Sequence, residues 1–122
     1  PYYRTGTVSL GRTERLFSFV VPLVPPSWNE SGRVDQYSTA IKESSRPTAV
    51  ALGLLDVLQR ADGATEEQAM AHFCLSHFLL DGHHKLEAAA ALCRPIRLLS
   101  LISIEHSLAH RSEIDRAVAA LT

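Results

Sequence analysis

Two cysteines, Cys74 and Cys93, are all the chain has, and a predicted helix separates them. That is not a disulfide framework, so a reducing, cytoplasmic setting is the expectation. No C-x-x-C pair is present, and His83 and His84 are adjacent, so their side chains diverge on most backbones. A structural zinc site therefore lacks its usual spacing, although His72-x-Cys74 would chelate if extended. Charge of one sign is also missing: the formal net charge is −1. Neither nucleic acid nor an anionic membrane would attract this chain in bulk. No apolar run reaches the roughly 18–20 residues that span a bilayer, and no secretory signal is visible. Internal repeats and low-complexity tracts are absent. The chain opens on Pro1 rather than methionine, which leaves room for elements upstream.

What is present suits one compact domain with a real core: 122 residues, 46% hydrophobic and 20% charged. Thr5–Leu10 and Leu16–Val21 carry strand-type residues around a polar, glycine-led stretch, and predict an N-terminal β-hairpin. Val24–Gly32, with Pro25-Pro26, predicts a loop. Asp35 would cap a short helix running to about Ser44, with Tyr37, Ala40 and Ile41 on one face. Ala49–Val57 is nearly all apolar and predicts a strand covered on both faces; a buried helix competes. Asp62-Gly63 marks a turn, and Thr65–Gln68 a helix start, with the helix ending near His72 or Phe73. Ser112 would cap a final helix with Ile114, Val118 and Leu121 as its apolar stripe.

Most of the chemistry gathers at Phe78-Leu79-Leu80-Asp81-Gly82-His83-His84-Lys85-Leu86-Glu87-Ala88-Ala89-Ala90. An apolar run breaks at Asp-Gly, and an Ala-rich helical segment follows at once. The spacing predicts a strand over 75–80 and a helix from about His84 to Leu92. The first N–H groups of a helix lack internal partners, and its dipole puts partial positive charge there. Gly82 lets a ligand approach the backbone, Lys85 adds full charge, and His83 and His84 add polar rings. This predicts a site for a small anion. The alternative is a plain strand–helix junction with exposed His and Lys. Asp81 would repel a phosphate at close range, so capping the helix, orienting His84 or holding a cation are its roles.

Asp81-Gly82-His83-His84-Lys85 with Ala88 resembles the G-x-x-R-x-x-A phosphate-binding motif of the ParB/sulfiredoxin-like superfamily. Gly82, Lys85 and Ala88 stand in the Gly, Arg and Ala places, and the resemblance covers roughly residues 46–106, with Arg94–Glu105 as the strand that follows the motif helix. It implies a small α/β domain (α+β, with a mixed sheet), spanning 1–122: hairpin and loop over 1–34, motif-bearing core over 46–106, terminal helix over 112–122. It also implies a nucleotide or phosphorylated metabolite as ligand, held by Gly82, His83, His84 and Lys85, with Mg²⁺ accompanying a nucleotide and no dedicated metal site. Lysine in the arginine place keeps the charge and loses the bidentate fork. Sulfiredoxins carry a catalytic cysteine two residues before the arginine; His83 stands there, which removes that thiol chemistry.

If the protein is catalytic, Asp81 and Asp56 are the candidate acids. In open α/β sheets ligands gather beyond the carboxyl ends of strands, and both aspartates lie at such ends if their strands run parallel. Two carboxylates there would hold a metal or take a proton. Alternatively, Asp56 caps a turn or pairs with Arg60. Cys93, after an Ala/Leu-rich helix, is expected in the core, and neither cysteine has an adjacent acid or base in sequence. Three functions stay open: binding or turnover of a phosphorylated ligand, a non-catalytic interaction module, and a ParB-like association with DNA. The last would need a helix-turn-helix that one terminal helix does not supply.

Overall fold

Strand β1 (Tyr3–Gly11) and strand β2 (Glu14–Pro22) form an antiparallel hairpin in the computed structural model, which describes residues 2–23, 30–42, 47–59 and 71–122. Gly11 pairs with Glu14, so the turn is only Arg12-Thr13, tighter than the sequence predicts. Helix α1 (Ser31–Lys42), strands β3 (Thr48–Leu58) and β4 (Ala71–Asp81), helix α2 (His83–Ala91), strand β5 (Arg97–Ile102) and helix α3 (Arg111–Leu121) complete the order. The strands make one five-stranded sheet in the order β1-β2-β4-β3-β5. This is the α+β architecture expected, with its N-terminal hairpin and C-terminal helix.

The sheet is mixed. Ala71 N–H donates to Thr13 O, start against start, so β2 and β4 run parallel. Arg97 N–H reaches Pro47 O and Ser103 N–H reaches Gly53 O, so β5 runs parallel to β3. Gly82, just past the end of β4, lies against Ala49 at the start of β3, so that pair is antiparallel.

Two compact units share these elements. In the first, Val21–Leu52 and Phe78–Leu101, α1 packs on α2. Ala88 and Ala89 are small enough to let Ile41 bury against them, with Val34, Tyr37, Leu92 and Ile96 around. In the second, Tyr2–Val20, Gly53–His77 and Ile102–Thr122, Leu16, Leu55, Phe73 and Leu75 bury under Ile114 and Ala117 of α3.

Several expectations need correction. α1 begins at Ser31, after Glu30, rather than behind Asp35. β3 is covered on one face, not two: Ala49, Ala51 and Leu55 are buried while Leu52 and Leu58 on the other face are exposed. β4 starts at Ala71, so His72 and Phe73 are strand, not the end of a helix. β5 is shorter than Arg94–Glu105. His110, not Ser112, is the cap residue of α3, and its N–H donates to Glu113 Oε1 at 2.8 Å. Val118 and Leu121 are exposed, and Ala117, one residue before Val118, takes the core position with Ile114. The Pro25-Pro26 loop, Arg60, and the Asp62-Gly63 and Thr65–Gln68 signals lie outside the described residues.

Candidate functional site

The β4–α2 junction is built as the Asp-Gly break predicts. β4 ends on Asp81, Gly82 takes φ 102° and ψ 24°, and α2 starts at His83. Leu86 N–H donates to Gly82 O and closes the first helical turn. A Cβ on Gly82 would sit 2.8 Å from Ala49 Cβ and 3.0 Å from its Cα. Both the dihedral and the close approach of β3 therefore require glycine. Asp81 is exposed, and Gly82 rather than Asp81 is the cap residue, with no side-chain cap bond. That turn holds no acid either. It keeps the positive end of the helix dipole without a neutralising side chain of its own.

The polar side chains that follow reach sideways rather than outward. His83 Nε2 accepts the N–H of Leu23 at 3.2 Å, and His84 Nε2 accepts the N–H of Glu30 at 3.0 Å. The rings thus hold the end of β2 and the entry to α1. A ring that accepts at Nε2 leaves Nδ1 as its donor in the neutral form. Lys85 Nζ donates to Thr48 O at 3.1 Å and lies 5.6 Å from the centre of the Tyr37 ring. Its side chain passes the N-terminus of its own helix, with its Cδ 3.7 Å from the position a Gly82 Cβ would take. Among the described residues its partners are a carbonyl and an aromatic face. Lys85 is half-buried, less open than the motif suggests.

Gly82, His83, His84, Lys85 and Asp81 thus stand together. β3 and β4 are antiparallel, so the condition under which Asp56 and Asp81 share one end of the sheet is unmet. Asp56 belongs to the second unit. There Asp56 acts on Cys74, whose thiol is pushed up mainly by desolvation and further by that carboxylate. A thiol raised in this way stays protonated at neutral pH and is a poor nucleophile. Cys93 is exposed at the end of α2 with φ 52°, not buried in a core. His72 packs edge-on against Phe17, with ring centres 5.2 Å apart. Among the described residues no three His, Cys, Asp or Glu side chains are grouped to hold a metal ion. No helix among them is long and apolar enough to cross a membrane.

Tyr37 and Thr48 are parts of the junction that the motif does not announce. Tyr37 was legible only as one residue of an amphipathic face, and Thr48 contributes its main chain, which no side-chain pattern encodes. The chain matches no family model, and neither a curated protein nor a solved structure matches it.

Proposed function

We propose that the β4–α2 junction binds a small phosphorylated ligand, a nucleotide or phosphometabolite, in a cytoplasmic protein. One observation carries this reading: α2 opens at Gly82 with no side-chain cap and no first-turn acid, beside the Lys85 side chain. Phosphate oxygens would take the place of the missing cap, and Lys85 would supply the charge. The donor set suits an anion without a metal cage. Mg²⁺ would come with a nucleotide and offset its phosphate charge, and Asp81 is the residue that would help hold it; such ions commonly use one or two carboxylates plus phosphate. Whether Asp81 also takes a proton in phosphoryl transfer or hydrolysis is then a matter of turnover.

The test is a thermal-shift and calorimetric screen of nucleotides and sugar phosphates, with and without Mg²⁺. A ligand at a hundred times its Kd adds roughly 2.7 kcal/mol of stability. Lys85→Ala should weaken binding about ten- to a hundredfold, and Lys85→Arg should preserve or strengthen it. Unchanged affinity in Lys85→Ala would remove the site.

A second reading, a non-catalytic interaction module, has its own support. Lys85, His83 and His84 all spend side-chain bonds on this protein's own main chain. If no phosphorylated compound shifts the melting temperature while Lys85→Ala lowers it, the motif is a tether and this reading takes over.

A further inference from the structure

The β1–β2 hairpin packs one face on the core and leaves the other open. Leu16 and Val20 are buried on the core side. Alternation then puts Arg15, Phe17 and Phe19 on the opposite side of β2. Residues opposed across an antiparallel pair share a face. Arg4, Thr7 and Ser9 oppose Phe19, Phe17 and Arg15, so they stand on the open side too. All six are exposed or half-buried, and all belong to the second unit.

Rings and arginines interleave on this face. Tyr2, 64% exposed, meets Phe19 edge-on with ring centres 5.6 Å apart. The exposed His72 of β4 meets Phe17 edge-on. The Arg4 guanidinium lies over the Phe17 ring, 5.3 Å from its centre, and donates to Thr7 Oγ1 at 3.0 Å. Arg15 Nη1 donates to Ser9 Oγ and to the Gly11 and Glu14 carbonyls. Each of these acceptors is neutral. Among the described residues neither guanidinium is paired with a carboxylate. The acids of the same unit are engaged or placed elsewhere. Glu14 is held by Arg116, Asp115 by Arg111, and Glu113 accepts the His110 N–H, all with α3. Asp56 acts on Cys74, and β4 lies between its strand and the hairpin. Glu105 follows β5, the far edge of the sheet. A chain of net charge −1 thus carries a local strip of positive charge among aromatic rings.

We infer that the open face of the hairpin binds a single-stranded nucleic acid. Charge complementarity selects a polyanion, because the two arginines have no acid to neutralise them. The rings select one whose bases are unpaired: bases stack on aromatic side chains and on guanidinium planes. Phe17, with Arg4 over it, is one platform, and Phe19, with Tyr2 beside it, is a second. They stand two residues apart on β2, about 7 Å along the strand. Successive bases of an extended strand would address the two platforms, while Arg4 and Arg15 meet the phosphates. A duplex keeps its base faces inside its own stack and would offer this surface phosphates alone. An acidic peptide would meet the arginines and leave the rings without a planar partner. No helix-turn-helix is required. The inference is independent of the ligand reading, since none of these residues belongs to the β4–α2 junction.

The experiment is fluorescence anisotropy of labelled oligouridine and oligothymidine, each about ten nucleotides long, with a DNA duplex as competitor. The wild type should bind at low salt, and the duplex should compete about tenfold less well than an unlabelled single strand. A preference between the two probes names RNA or DNA as the ligand and upholds the face. Tyr2→Leu and Phe19→Leu, which keep an apolar side chain and remove a ring, should each weaken binding about tenfold. Arg4→Gln and Arg15→Gln should each reduce the slope of log K against log salt concentration by about 0.7, the value for one phosphate contact on a single strand. Arg111→Gln removes the same charge from α3, on the core side of the sheet, and should change neither affinity nor slope. Far-UV circular dichroism checks that the variants fold; if Phe19→Leu unfolds the chain, Tyr2→Leu carries the ring test from an exposed position. A wild type that binds neither single strand at high micromolar concentration overturns the inference. So does a duplex that competes as well as a single strand, since phosphate attraction alone would then account for binding. Affinity unchanged by removal of the rings, or a salt slope unchanged in both arginine variants, also overturns it.

Discussion

Gly82 and Ala49 approach so closely that the sheet and the motif helix share one constraint: a methyl on Gly82 would lie 2.8 Å from the Ala49 methyl. The glycine also sits at φ 102°, a region that costs a side chain strain wherever it occurs. Gly82→Ala should destabilise the protein by about 2–5 kcal/mol, overpacking and backbone strain together. Adding Ala49→Gly should recover the methyl–methyl part and leave the dihedral strain and the 3.0 Å approach to the residue-49 Cα, as a double-mutant cycle in urea would show. A cost below about 1 kcal/mol for Gly82→Ala would mean that β3 and α2 do not meet as described.

His83 and His84 make separable contributions. Each accepts one main-chain N–H, from Leu23 and Glu30 respectively. His83→Phe should speed hydrogen exchange at the Leu23 amide, and His84→Phe at the Glu30 amide, each about fivefold for a bond of about 1 kcal/mol. Exchange that rises at neither amide would show that the rings do not hold these ends of the chain.

The strand–turn–helix at the junction was legible because three local signals coincide: apolar residues ending at Leu80, the Asp-Gly break and the following alanines. The roles of the two histidines were not. Their partners are main-chain amides 60 and 54 residues away, and only the fold joins them. The start of β4 is hidden because the helix expected from Thr65–Gln68 extends to His72 or Phe73, and no proline or glycine between Gly63 and Ala71 marks the boundary. β3 misled in the other direction. Its continuous apolar run reads as burial on both sides, yet Leu52 and Leu58 face outward. A sequence reports which surfaces are apolar, not whether something covers them. Cys93 follows the same logic: the Ala/Leu run before it suggests a core, but the helix ends at Leu92 and puts Cys93 in a left-handed, exposed position. For Asp56 and Asp81, strand direction decided, and no pattern within either strand reveals it.

α3 is tied to β2 by Arg116, which pairs with both carboxylate oxygens of Glu14 and lies 5.5 Å from the Phe73 ring centre. The Arg116 hydrogen bonds hold the Glu14 carboxyl below its usual 4.5. A carboxyl depressed on folding contributes stability that is complete above its unfolded pKa and is lost as pH falls through its folded one. Arg116→Met should therefore melt below the wild type at neutral pH, and the gap should narrow as pH drops below 4.5. Because Arg116 is exposed, added salt should narrow it as well. A gap that ignores both pH and salt would assign the effect to packing on Phe73.

His77 sets the other acid limit. It lies on β4 between Leu75 and Leu79 with 7% exposure, and desolvation lowers its pKa from 6.5. The unfolded chain then binds a proton that the folded chain resists, over the window below 6.5 down to the depressed folded value. In that window the unfolded state holds more protons, so stability rises with pH and falls as the solution is acidified. Above 6.5 the ring is neutral in both states and pH has no hold on it. The slope for one such group is at most about 1.4 kcal/mol per pH unit. Urea unfolding at a series of pH values should show wild-type stability declining below 6.5 before the carboxylates titrate. His77→Gln, which cannot take up the proton, should flatten that decline whatever it costs at neutral pH. An equally steep decline in His77→Gln would place the acid sensitivity on another group and leave His77 a buried polar residue with no part in it.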